Sequence, residues 1–177
     1  MDNLELRILN VDDKDAYDIF VAEMLKTDGT ITPSNAEMHE GEDSFQQWLE
    51  RAAKNSRGED LKDGRVPSTT FYLFRENEPK ILGAIDVRHE DNEMILKKFG
   101  HIGYGIAPSE RRKGYATEML QMALEFCKTL EIDKVLVCCH KDNLGSAHTI
   151  INNGGVLESE LVEDNNEITQ RYWIALN

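Results

Sequence analysis

The chain has 177 residues and carries 33 acidic against 20 basic side chains, a formal net charge of −13. That length suffices for one self-contained core, so residues 1–177 are expected to form a single domain. No stretch approaches the roughly 18 apolar residues of a membrane span, and the acidic balance lacks the basic face that nucleic acid requires, so neither membrane nor nucleic acid is an expected partner.

Taken in chain order, the opening Met1-Asp-Asn-Leu-Glu-Leu-Arg7 has neither the basic start nor the apolar run of a signal peptide. Leu4, Leu6 and Ile8 alternate and predict a first strand. Asp12 or Asp13 can cap the helix expected over 14–26. Residues 27–43 hold Gly29, Pro33 and Gly41 and read as a long loop. Phe45, Trp48, Leu49 and Ala52 predict a helix over 43–55, followed by a glycine- and charge-rich loop over 56–67. Residues 71–75 and 80–88 read as a hairpin around Asn77-Glu78-Pro79. Residues 90–99 fit a short helix or a loop. A strand over 100–107 ends at Pro108. A helix over 114–130 repeats Ala116, Met119, Leu120, Ala123, Phe126, Cys127 and Leu130 at helical spacing. A strand over 134–139, a helix over 143–153 and two strands over 156–162 and 168–176 complete the chain. The order predicts an α/β fold with a mixed, mostly antiparallel sheet flanked by helices.

Adjacent Cys138 and Cys139 suit neither a disulfide nor a zinc pair, and His140 beside them has no second ligand cluster, so no metal is expected. Three cysteines cannot all pair, which points to a reducing compartment and a cytoplasmic location.

The most informative residues are Arg111-Arg112-Lys113-Gly114-Tyr115-Ala116, between the strand that ends at Pro108 and a long helix. A helix start carries unpaired N–H groups and partial positive charge, and so favours an anion. Gly114 and Ala116 leave room for a phosphate near the backbone. The turn is not the P-loop, because no Gly-Lys-Ser/Thr ends it. Nor is it the dinucleotide fingerprint, because Pro108 follows Gly103 and Gly105 where a third glycine would stand.

Arg111-x-x-Gly114-x-Ala116 resembles the Arg/Gln-x-x-Gly-x-Gly/Ala signature of the GNAT superfamily of acetyl-CoA-dependent N-acetyltransferases. Ile106-Ala107-Pro108 resembles the family's apolar-x-Pro end of the preceding strand. Asn143-Leu-Gly-Ser146, with Asn153-Gly154, resembles its later helix. The resemblance covers about residues 70–176. It implies the GNAT arrangement, in which a central strand and its parallel neighbour splay apart. It also implies acetyl-CoA as co-substrate, with Arg111, Arg112, Lys113, Gly114, Tyr115 and Ala116 holding its pyrophosphate. Ile106 would pair through its backbone with the pantetheine arm, and Asn143 and Ser146 would contact it from the next helix. As plain residues, Asn143 is also an ordinary helix cap.

The expected reaction is acetyl transfer to a primary amine of a small molecule or peptide. An acyl-CoA-binding regulatory module without catalysis is the alternative. An amine must attack neutral, the oxyanion needs a donor, and the departing sulfur needs a proton. Many family members carry a Tyr seven residues after the Asn; here that position is Ile150, which donates nothing. Water or one of Tyr104, His140, Ser146 and His148 is left to donate, none standing out, with Tyr104 kept as a candidate. His101 is the candidate base, beside Asp86, for which Arg88 on the same strand face offers an ion-pair partner. Gly103 and Gly105 in one strand point to a bulge or a close backbone approach. The loops holding Glu37, Glu40, Glu42 and Asp43, and Glu163, Asp164 and Glu167, are acidic. They predict a cationic acceptor, with polyamines or basic peptides ahead of anionic amino acids. A homodimer is left open.

Overall fold

In the computed structural model, which describes residues 3–38, 44–62 and 64–176, the alternation at Leu4 and Leu6 becomes the edge strand β1 (Leu4–Arg7). It ends before Ile8, which is exposed. Helix α1 (Lys14–Asp28) follows, but neither expected aspartate caps it through a side chain. Asn10 instead caps the short turn ahead of it, accepting from Asp12 N at 2.8 Å, and Asp13 is drawn into a part-buried ion pair with Arg7 at 2.7 Å. Helix α2 (Phe45–Ser56) starts at Ser44, whose hydroxyl accepts from Gln47 N at 3.2 Å.

Strands β2 (Ser68–Arg75) and β3 (Ile81–Arg88) form the expected hairpin, with Asn77 in the left-handed region that a tight turn demands. The ambiguous stretch 90–99 contains a single wide helical turn, Ile95–Phe99. Strand β4 (Ile102–Ile106), helix α3 (Tyr115–Thr129), strand β5 (Lys134–His140), helix α4 (Leu144–Asn152) and strands β6 (Val156–Val162) and β7 (Ile168–Ala175) follow within a few residues of expectation.

The seven strands run in the order β1-β2-β3-β4-β5-β7-β6, antiparallel throughout except for β4 and β5. Helices α3 and α4 bury Met119, Leu120, Ala123, Ala147 and Ile150 against one sheet face. Helices α1 and α2 bury Tyr17, Phe20, Met24, Phe45 and Trp48 against the other, over β2 and β3. Each large apolar side chain so buried contributes about 1.5–3 kcal/mol. The period-2 rule divides β3 between them: Ile85 and Val87 face α3, whereas Ala84, Asp86 and Arg88 face the α1–α2 side.

The parallel junction positions the site. Strands β4 and β5 share one register pair, Ile102 with Val137, reinforced by His101 N donating to Leu136 O at 2.7 Å. Beyond Ile102 the strands part, giving the splay that the family resemblance implies. The register of β4 on β3 and the Ala107 N to Leu82 O bond at 2.9 Å turn the backbone groups of Gly103, Gly105 and Ala107 toward β3. Those of Tyr104 and Ile106 therefore face the gap. The β4 glycines make no bulge against β3; close approach is their reason. A Cβ on Gly105 would stand 2.3 Å from Thr32 O, so the segment after α1 lies directly on this strand.

Candidate active site

The turn at 111–116 follows the end of β4 that lies beyond its one register pair with β5. A short helical turn, Pro108–Glu110, leads into it, and Arg112 and Gly114 both adopt left-handed backbone, φ 65 and φ 90. Alternation of this kind gathers successive N–H groups into a concave anion nest. Among the described residues, the N–H groups of Arg112, Lys113, Gly114 and Ala116 have no hydrogen-bond acceptor. A Cβ on Gly114 would meet nothing within 4 Å, so the nest faces open space.

The cations of this turn are less available than the sequence implies. Arg111 turns back: its Nε donates to Ile106 O at 3.1 Å and its guanidinium pairs with Asp28 of α1. Lys113 donates to Glu110 at 2.9 Å. Glu110 is a buried carboxylate that also takes Arg75 at 2.8 Å and Lys80 at 2.5 Å. Burial alone would raise its pKa; the hydrogen bonds from Lys80 and Lys113 and the charge of Arg75 outweigh burial and hold it at about 2. Tyr115 is buried in the core, and its hydroxyl accepts from Arg75 at 2.8 Å. Among the described residues Arg112 makes no ion pair, so it and the backbone amides are what this turn leaves open to an anion. Glu110 and Arg75, which order it, were not singled out in the sequence; Glu110 lies three residues before Lys113, a spacing that forecasts such a pair.

Inside the gap, Tyr104 reaches from β4 to α4, its hydroxyl 2.8 Å from Ser146 Oγ. Burial, only partly offset by the Ser146 bond, pushes its pKa up to about 12, so it keeps its proton at neutral pH. Asn143 caps α4, its Oδ1 accepting from Ser146 N at 3.1 Å. Ile150 is fully buried in the core.

The two base candidates are occupied. His101 is buried; its Nδ1 accepts from Leu136 N at 2.9 Å and its Nε2 meets Asp91 at 2.5 Å. With Nδ1 accepting, the proton lies on Nε2, and neither nitrogen faces the gap. Asp86 is fully buried, but its partners are Asn35 at 2.9 Å and Thr70 at 2.9 Å. The expected partner, Arg88, instead donates to Gly100 O at 3.1 Å. Hydrogen bonds from the segment after α1, distant in sequence, displaced the intrastrand ion pair.

Two cavities open on the α1–α2 side. One, of about 540 Å³, lies against Cys138 and His140, where β5 leaves β4, and is bordered by Glu163, Asp164 and Glu167 of the β6–β7 connection. Burial pushes the Cys138 thiol up to about 11. The other, of about 720 Å³, runs between α2, the segment at Ser34 and Asn35, and Arg88. Phe99 borders both. Of the other acidic loop, Glu37 is half-buried, while Glu40, Glu42 and Asp43 lie outside the described residues. Among the described residues no group of three His, Cys, Asp or Glu could hold a metal ion, and no helix is long and apolar enough to cross a membrane.

Residues 3–156 match the family profile described as an acetyltransferase (GNAT) domain. No curated protein matches at a significant level. Among solved structures, spermidine N-acetyltransferase from Vibrio cholerae, in a dodecameric form, superposes with a TM-score of 0.65 at 22% identity, over 98% of this chain and 94% of that one. The ribosomal-protein alpha-N-acetyltransferase RimL, in complex with coenzyme A, gives 0.68 at 16% identity, over 98% and 94%. A probable acetyltransferase gives 0.71 at 16%, over 98% and 93%. These likenesses are of fold.

Proposed function

The chain belongs to the GNAT family of acetyltransferases, and on that premise we propose that it moves the acetyl group of acetyl-CoA to a primary amine. The observation that carries this reading is the nest at Arg112, Lys113, Gly114 and Ala116, four N–H groups without acceptors among the described residues, on the turn that follows the free end of β4. Unsatisfied backbone donors at a helix start are of the kind that binds a pyrophosphate. Bound there, acetyl-CoA would supply the thioester that the amine attacks.

The chain's own groups then have distinct tasks. The N–H groups of Tyr104 and Ile106 face the gap and are the donors available to a developing oxyanion. The Tyr104 hydroxyl keeps its proton for the departing sulfur, taking the place that Ile150 leaves vacant. Ser146 orients that hydroxyl, and Asn143 fixes the first turn of α4. His101 holds the junction of β4 and β5 rather than a substrate proton. The amine arrives as an ammonium, drawn by Glu163, Asp164 and Glu167, and gives its proton to solvent water in that open cavity. His140 stands there, 3.7 Å from Glu167. A cytoplasmic location rests on three free thiols. A homodimer draws support from the exposed Val156, Leu157 and Val162 on edge strand β6.

Acetyl-CoA binding by calorimetry, together with release of free coenzyme A over a panel of amines, tests this. Gly114→Glu places bulk and negative charge in the nest and is expected to abolish binding. Gly114→Ala shares the backbone strain of positive φ without the charge, and should weaken binding far less. Unchanged affinity in a folded Gly114→Glu protein would refute the docking point. Tight binding with no turnover of any amine would favour the regulatory module.

A further inference from the structure

Among the described residues, the larger cavity on the α1–α2 side is lined by more cations than carboxylates: Arg51, Lys54, Lys62, Arg65 and Arg88 against Glu50 and Asp60. Asp60 is already tied to Lys54 at 2.9 Å, and Glu50 takes an amide hydrogen from Gln46 at 3.2 Å. Among the described residues neither Arg65 nor Arg88 has a carboxylate at ion-pair distance. In a chain of net charge −13, two guanidiniums left facing one cavity are a conspicuous choice. Arg88 is half-buried; desolvation lowers its pKa, the carboxylate of Asp86 below it works the other way, and the charge of Arg65 adds to the lowering. An incoming anion would relieve both guanidiniums at once.

The cavity is adjacent to the reaction gap. Arg88 lies opposite His101 across the β3–β4 ladder, one residue from the point where β4 and β5 part. Ser34 and Asn35, on its wall, directly follow the Thr32–Pro33 segment that lies on the β4 glycines. Phe99 alone of its lining is shared with the acidic cavity beside Cys138 and His140. A cationic compartment and an acidic one thus stand side by side, with one aromatic ring between them.

We infer that the larger cavity holds an anionic group, a carboxylate or a phosphate, of the acceptor, whose amine lies on the far side of Phe99. This rests on the acetyl-transfer reading and narrows it: the acceptor is an amine that also bears an anion. The wholly cationic acceptor expected from the loops would leave Arg65 and Arg88, whose acceptors are the neutral oxygens of Asn35 and Gly100, without a counter-charge.

Titration of the wild-type protein with inorganic phosphate and, separately, with propionate, followed by amide chemical shifts, tests the anion site without turnover. Saturable shifts are expected at Ser34, Asn35 and Ser68, and phosphate should also perturb 112–116, which serves as an internal reference. Arg65→Gln, an exposed position, should weaken binding at the cavity about tenfold and leave 112–116 unchanged; Arg88→Gln should do the same if it folds. The stronger of the two probes identifies phosphate or carboxylate as the group preferred. In turnover, O-phosphoethanolamine against ethanolamine, and β-alanine against its amide, should favour the anionic member about tenfold in wild type and not in Arg65→Gln. Phosphate shifts confined to 112–116 would overturn the inference, as would an anionic preference that survives Arg65→Gln. Saturable cavity shifts without turnover of any amine would uphold the anion site and count against acetyl transfer instead.

Discussion

At the scale of single residues, Ile150 is a core residue of α4, and the hydroxyl we propose as proton donor belongs to Tyr104 of β4. Tyr104→Phe should lower kcat about a hundredfold while leaving the Michaelis constant for acetyl-CoA nearly unchanged. Ile150→Ala should instead cost about 2–5 kcal/mol of stability in denaturant titration, with turnover of the folded fraction preserved. Glu110 offers a pH test. Its folded pKa, about 2, lies below the usual value of 4.5, so its contribution is complete above about pH 4.5 and disappears as pH falls toward 2. Melting temperatures of wild type should fall through that window, whereas Glu110→Gln should start lower and show a shallower decline. The signature Arg111-x-x-Gly114-x-Ala116 was legible because its chemistry is local, backbone amides within six residues. The fates of Arg111 and Asp86 were not, because Asp28 and Asn35 reach them from 83 and 51 positions away.

At the scale of elements, most of the order was readable from periodicity, since each helix has one apolar face and each strand a turn beside it. How the elements meet is not written in any one of them. The glycines of β4 marked a close approach, yet nothing local named Thr32 as the neighbour. Likewise, the cationic cavity draws on α2, the α1–α2 segment and β3, and no window of sequence contains it. The two β4 glycines separate the effects of space. Gly105→Ala drives a Cβ into Thr32 O and should cost about 1–3 kcal/mol, displacing the segment that walls the cavity and reducing kcat/KM for the amine. Gly103→Ala meets Pro33 at 3.6 Å, an ordinary contact, and should leave both melting temperature and kcat/KM close to wild type. Equal effects at the two positions would mean that the Thr32 segment is not set by this contact.

At the scale of the whole molecule, a field of −13 surrounds one cationic compartment and one amide nest. Long-range attraction of an ammonium and short-range binding of an anion are both weakened by salt. The Michaelis constant for the amine should therefore rise between low and physiological ionic strength, and a flat dependence would count against charge-guided acceptor capture. The junction of β4 with β5 has a different consequence. The chain passes between the two antiparallel half-sheets, β1–β4 and β5–β7, only once, through α3 and the short connection at 130–133. At the strands, the halves are bridged by one register pair and the clasp of His101 on Leu136. A nick in that connection would leave two fragments, each with its own hydrogen-bonded ladder intact. A co-substrate bound in the gap, as we propose, would then act as mortar, and reassembly of the severed protein would become a reporter of its presence.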